Sequence, residues 1–329
     1  MGFLSHILNA PFLGHAVGLW LVFFAIIAAL LAFDLGVLHR GDREIGITES
    51  LLLSGGYIGV ALLFGAGIGW HLGAGSAMAY LTGFMIEKSL SMDNVFVIAL
   101  VFGFFSIPRQ YQHRVLFWGV FGAMAMRAVM IGLGATLVTR FGWVMYLFGA
   151  FLVATGVKMW ITADRVPDLA NNRLLNLLRK RLRVTHALEG NAFFAQRLDP
   201  ATGELARWAT PLFLALCLIE FVDLMFAVDS VPAIFAITTD PFIVYTSNIF
   251  AIVGLRALYF ALAAMIHRFK YLKYALALVL AFIGAKILLA GVGAKMPAEV
   301  SLSVTFALIA GGVLVSLCKT RGESAVVRA

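Results

Sequence analysis

Runs of about 20 predominantly apolar residues recur along this chain, and each is long enough for an α-helix to cross a hydrocarbon layer. Nine can be drawn, at roughly 17–38, 50–70, 78–105, 115–137, 142–162, 211–237, 243–266, 272–292 and 299–318. Lipid offers no water to a backbone N–H or C=O, so such segments must close their own hydrogen bonds as helices. The expected fold is an all-α polytopic membrane protein of about nine transmembrane helices. Composition agrees, since 62% of the 329 residues are hydrophobic and 13% are charged.

The net charge of +8 would suit a nucleic-acid binder if it were concentrated, but the basic residues are spread between the apolar runs and no nucleic-acid motif is present. With the N-terminus outside, 18 of the 25 Lys and Arg residues fall in cytoplasmic segments and two, Arg140 and Lys295, fall outside. That asymmetry predicts a multi-pass protein of the bacterial inner membrane with its C-terminus in the cytoplasm. The first residues lack a basic leader and run into a full-length span, so no cleaved signal peptide is expected. Cys217 and Cys318 both lie in apolar runs and imply no disulfide framework.

One connection is long, about 163–210. Its stretch NRLLNLLRKRLRV has leucines at 174, 175, 178 and 182 with Arg179, Lys180, Arg181 and Arg183 among them, a short amphipathic helix suited to an anionic inner leaflet. The following FFAQRLDPATGELARWAT reads as a β-hairpin around a Pro-Ala-Thr-Gly turn.

Five cations lie within spans, Lys88, Arg127, Lys158, Arg256 and Lys286, together with six carboxylates, Asp34, Glu87, Asp93, Glu220, Asp223 and Asp229. Their order repeats. Glu87 and Asp93 are six apart and followed by Asn94-Val95; Asp223 and Asp229 are six apart and followed by Ser230-Val231. Downstream, MRAVMIGLGA around Arg127 matches LRALYFALAA around Arg256, and YLFGAFLVATGVKM matches YALALVLAFIGAKI, Tyr146 over Tyr274 and Lys158 over Lys286. Spans three to five thus map onto spans six to eight. Because three spans separate the copies, the triplets cross the membrane in opposite directions, as in the inverted repeats of secondary transporters. The expected organisation is 1–77, an outside segment and two peripheral spans; 78–162, repeat one; 163–210, the cytoplasmic loop; 211–292, repeat two; and 293–329, the last span and a cytoplasmic tail.

A charge at the centre of a span costs about 2.5–3.5 kcal/mol, so the five acids of spans three and six would cost on the order of 15 kcal/mol unpaired. Intramembrane cations, protonation, a water-filled cavity or a bound metal ion can offset that cost, and two readings follow. Each acid can pair with an in-span cation to fix helix packing, or the acids can gather around a metal ion. On a regular helix Glu87 and Asp93 are about 120° apart. The metal reading therefore predicts local unwinding, aided in span six by Pro232, which frees the Val228 carbonyl. Glu220 and Asp223, three apart, already share a face. The oxygen-rich set suits Mn²⁺, Mg²⁺ or Ca²⁺ better than Zn²⁺ or Cu⁺.

At these residues the sequence resembles the TerC family of bacterial integral membrane proteins, close to its Alx branch. The resemblance rests on IEKSLSMDNVFV, on IEFVDLMFAVDSVPAIFAITTDPFIVYTSNIFAIVGLRALYF and on FGAFLVATGVKMW. It implies association with tellurite resistance, pH response and export of manganese, with Mn²⁺ as cargo rather than resident cofactor. Carried onto this sequence, the family's acidic motifs give a metal site of Glu87, Asp93, Asp223 and Asp229, with Asn94 and Ser230 beside them and Glu220 in the same segment. Lys158, Lys286, Lys88 and Asp34 are the candidates for charge balance or coupling. No HExxH, GxGD or GxSxG arrangement appears in a span, so no enzyme is expected. The alternatives are an accessory protein delivering metal to secreted enzymes and a metal or pH stress-resistance protein without stand-alone transport. The partners expected are the lipid bilayer and a divalent cation, with a homo-oligomer or the secretion machinery left open.

Overall fold

The computed structural model describes residues 8–38, 46–163, 172–185, 187–198, 204–263, 272–291, 293–294 and 296–326. The chain enters through a small hairpin, β1 (Pro11–Phe12) and β2 (His15–Ala16), paired antiparallel. Leu13 and Gly14 turn it with positive φ of 48° and 87°, the backbone that a two-residue hairpin loop requires. Ten helices follow among the described residues. They are α1 (Val17–Leu38), α2 (Ile47–Leu72), α3 (Ala74–Phe104), α4 (Arg109–Arg140), α5 (Val144–Thr162) and α6 (Arg173–Arg181). After the second hairpin, β3 (Phe194–Leu198) and β4 (Leu205–Ala209), come α7 (Pro211–Phe235), α8 (Pro241–Ala263), α9 (Leu272–Gly291) and α10 (Ala298–Val326).

Every expected span overlaps one of these helices, with residues 264–266 and 292 outside the described residues. Helices α1, α2, α4, α5, α7 and α9 contain segments long and apolar enough to cross a membrane, and α8 and α10 hold the shorter apolar stretches Pro241–Leu255 and Ser303–Ser316. Helix α3 is 31 residues long and carries Glu87, Lys88 and Asp93 in its body. The protein is a polytopic all-α membrane protein.

The breaks have local causes. Gly73, at φ 89°, separates α2 from α3 in a conformation that side chains rarely adopt. Pro211 opens α7 at the position where a missing N–H costs nothing. Asn172 caps α6 by accepting from Leu174 N at 2.9 Å and Leu175 N at 3.3 Å.

Helix α8 is the hub. Residues 242–255 are all buried, as expected of a helix that is apolar around its whole circumference and packs on every side. It lies against α2, α3 and α4, while α7 packs on α3 and α4, and α9 on α5 and α10. Exchanging the two triplets would convert the α3–α8 contact into the α4–α7 contact and return α3–α7, α4–α8 and α5–α9 to themselves.

The α5–α9 crossing is reciprocal in detail. A methyl group added to Gly156 would come within 2.6 Å of the Ala277 carbonyl oxygen, and one added to Gly284 within 2.5 Å of that of Gly149. The sequence match pairs Gly156 with Gly284 and Gly149 with Ala277, so each contact is the image of the other. Helices packed this tightly gain dispersion contacts and tolerate no Cβ. Gly284→Val should cost ~1–3 kcal/mol or more through overpacking. Thermal unfolding in detergent should show it, with Gly67→Val, where a Cβ meets nothing within 4 Å, as the control. Equal unfolding temperatures for the two variants would disprove the close approach.

Two sequence expectations are altered. Helices α3 and α7 run unbroken past the acids, so the predicted unwinding is absent among the described residues. Pro232 lies three residues from the end of α7, where it removes one helical bond and interrupts nothing further. Helix α6 turns Leu175, and partly Leu178, onto the end of the bundle beside Leu212, with Leu177 exposed. The apolar face predicted to lie on lipid is therefore partly used against protein. The strands of the second hairpin pair as read, with Phe194 opposite Ala209, and the expected Pro-Ala-Thr-Gly turn lies outside the described residues.

A buried arginine–carboxylate centre between four helices

In an unbroken helix, residues seven apart fall on one stripe, offset by about 20°. Glu87 and Asn94 of α3 are so related, as are Asp223 and Ser230 of α7. These four face the middle of the bundle, where Glu87, Asn94 and Ser230 are 1%, 4% and 1% exposed.

Arg127 of α4 occupies the middle itself. It is wholly buried and is the largest of the fully buried side chains. Its Nη1 lies 2.7 Å from Glu87 Oε1, and its Nη2 lies 3.5 Å from Asp223 Oδ1. Nη1 also donates to Ser230 Oγ at 3.3 Å and to Asn248 Oδ1 on α8. Asn248 Nδ2 donates to the Val244 carbonyl at 2.8 Å, which turns its oxygen toward the arginine. Asn94 Nδ2 donates to Asp223 Oδ1 at 3.3 Å. One guanidinium thus joins α4 to α3, α7 and α8, and a guanidinium keeps its proton in any protein environment.

The centre is incompletely satisfied. Among the described residues, Glu87 Oε2, Asn94 Oδ1, Asp223 Oδ2 and Glu220 Oε2 are buried acceptors without a hydrogen-bond partner, and Arg127 Nε and Nη2 are buried donors without one. Such groups are rare because each forfeits its hydration. Glu220 lies against Gly122 of α4, where a Cβ would collide with its carboxylate. Beside Asn94 and Asp223 is a 40 Å³ cavity that continues past Gly119 and Ile252 to Tyr259, room for a small ion or a water or two. Tyr259 donates to Gln112 Oε1 at 3.2 Å at the end of the bundle that carries the 163–210 connection.

The other predicted residues lie apart. Asp229 accepts from Thr155 Oγ1 of α5 at 3.1 Å and has Lys158 within electrostatic reach. Lys286 donates to Ser301 Oγ at 3.0 Å, and Lys88 donates to the Ala251 carbonyl at 3.3 Å. Asp34 is buried in α1. The side chains of Asp93 and Arg256 lie outside the described residues. Among the described residues no three His, Cys, Asp or Glu side chains converge in a metal-binding group. Arg127 and Asn248 are the members that the sequence reading left out of the site. A signal for Arg127 was present, since a permanent cation within a span demands an acid in contact.

Membrane helices packed around a charged, oxygen-rich centre define a polytopic integral membrane protein. The chain belongs to the integral membrane protein TerC family, whose profile matches residues 72–324 and so includes every residue of this centre. It is 48% identical over 300 residues to an uncharacterized membrane protein of Rickettsia bellii, covering 91% of this chain and 97% of the relative. An uncharacterized membrane protein of Myxococcus xanthus is 46% identical over 305 residues, covering 92% and 93%. Alx of Escherichia coli strain K12, described as a proposed membrane-bound redox modulator, is 44% identical over 300 residues, covering 88% and 91%. No solved structure matches the chain.

Proposed function

We propose that this protein transports a divalent metal cation, with Mn²⁺ as the principal cargo, out of the cytoplasm by alternating access. The observation that carries the reading is that Asn94 and Asp223, each with a buried oxygen that has no hydrogen-bond partner among the described residues, line a small cavity between two facing helices, with Glu87 and Glu220 carrying two further such oxygens on the same helices. Unpaired acceptors deep in a membrane are costly, and a hard cation is the ligand that satisfies several at once. The donors are all oxygen, which suits Mn²⁺, Mg²⁺ and Ca²⁺; the choice of Mn²⁺ among them rests on the family resemblance. Asp229, farther along α7, would extend the proposed acidic path, and exchange against protons on these carboxylates would supply the driving force.

The reciprocal packing of α5 on α9 supports two inverted halves that rock against each other. With the N-terminus outside, as the distribution of basic residues favours, the cavity runs from the centre toward the cytoplasm. Everted membrane vesicles containing the protein should then accumulate Mn²⁺ when given an imposed proton gradient. Vesicles that accumulate no more than protein-free controls would exclude stand-alone export.

A further inference from the structure

We propose that Arg127 is the tethered counter-ion of the metal site, and that its guanidinium and the divalent cation hold the Glu87–Asp223 pair by turns. The inference rests on the transport reading above and assigns a role to a residue outside the acidic motifs.

The geometry points to competition rather than to packing alone. The guanidinium touches one oxygen of each carboxylate, and the second oxygen of each is unpartnered. An ion drawn to those free oxygens would sit against a fixed positive charge in a medium that screens poorly. A lysine could escape by giving up its proton, whereas arginine cannot, so Arg127 has to move. A retreat is built in. Nη1 already reaches two neutral acceptors, Ser230 Oγ and Asn248 Oδ1, and the latter is held in orientation by the Val244 carbonyl. Withdrawing toward Asn248 would release Glu87 and Asp223 while the charge kept hydrogen bonds.

The arrangement also explains how an empty carrier could return. Two carboxylates left bare after metal release would resist re-orientation in lipid; with Arg127 between them half of that charge is cancelled. Arg127 and Glu87 belong to the first triplet, and Asp223, Ser230 and Asn248 to the second. The guanidinium therefore joins the two halves through the Glu87–Asp223 pair when no metal is bound, and metal entry transfers that link to Asn248.

The test is Mn²⁺ binding to the purified full-length protein by calorimetry, with the Mn²⁺-induced rise in unfolding temperature measured in parallel. Removing the competitor in Arg127→Gln should tighten Mn²⁺ binding about tenfold and enlarge the metal-induced rise, while net vesicle uptake falls. Removing the refuge in Asn248→Ala should act in the opposite direction and weaken binding severalfold. A packing arginine would lower the metal-free unfolding temperature when replaced but would leave affinity unchanged or weaker. That result, or unchanged affinity in Asn248→Ala, would overturn the proposal. Asn248→Ala keeps the test decisive if Arg127→Gln does not fold. Absence of Mn²⁺ binding in the wild-type protein would instead remove the transport reading, and this inference with it.

Discussion

Replacing Glu87 with leucine should destabilise the protein by about 3–5 kcal/mol, the usual cost of leaving one member of a buried ion pair without the other. Arg127 is wholly buried and its closest carboxylate is Glu87, at 2.7 Å. In Glu87→Leu the guanidinium would keep the longer contact to Asp223 at 3.5 Å and two neutral acceptors, too little for a full charge away from water. Glu87→Gln should cost less, because the amide oxygen still accepts from Nη1. Pairing Glu87→Leu with Arg127→Met should recover most of the loss, since apolar groups of similar volume can replace a buried ion pair at little cost. Thermal unfolding in detergent distinguishes these outcomes. If Glu87→Leu melted with the wild type, the pair would not be holding α3 to α4.

Asp223→Asn should reduce Mn²⁺ uptake by everted vesicles at least about a hundredfold, ~2.7 kcal/mol in the transport step. The substitution preserves shape, and Arg127 retains Glu87, so the fold should survive. What disappears is one of the two carboxylates between which Arg127 lies, together with the unpartnered Oδ2 beside the cavity. Ser230→Ala, which removes a neutral contact to Arg127, should reduce uptake only a few-fold. Uptake by Asp223→Asn at the wild-type rate would place the permeating ion elsewhere.

Much of the architecture was legible because lipid imposes it. A run of apolar residues without water must become a helix, and all nine runs did. The hairpin at 194–209 was legible from its Pro-Ala-Thr-Gly turn, and the small N-terminal hairpin was not, since its strands are two residues each. The site was half legible. The acids marked the helices that carry the buried arginine–carboxylate centre, but the six-residue spacing drew attention to Glu87 with Asp93 and required an unwinding that did not occur. The seven-residue spacing, Glu87 with Asn94 and Asp223 with Ser230, lies on one face without distortion, and that face points inward. Arg127 was among the in-span cations that could pair with the acids, but nothing local in MRAVMIGLGA says which acids it meets. Its partners come from α3, α7 and α8, and only tertiary packing brings these together. The charge-balancing role expected of Lys158 and Lys286 therefore has a nearer candidate in Arg127, while those lysines face Asp229 and Ser301.

The central claim is that the unpartnered oxygens of α3 and α7 form a divalent-cation site. Anomalous scattering at the manganese edge, from crystals of the protein grown with Mn²⁺, tests it most directly. The account predicts one peak within coordination distance of both Glu87 and Asp223, with the Arg127 guanidinium drawn back toward Asn248. Crystals loaded with Mn²⁺ that show no peak at these carboxylates, and Arg127 still clasped between them, would contradict it.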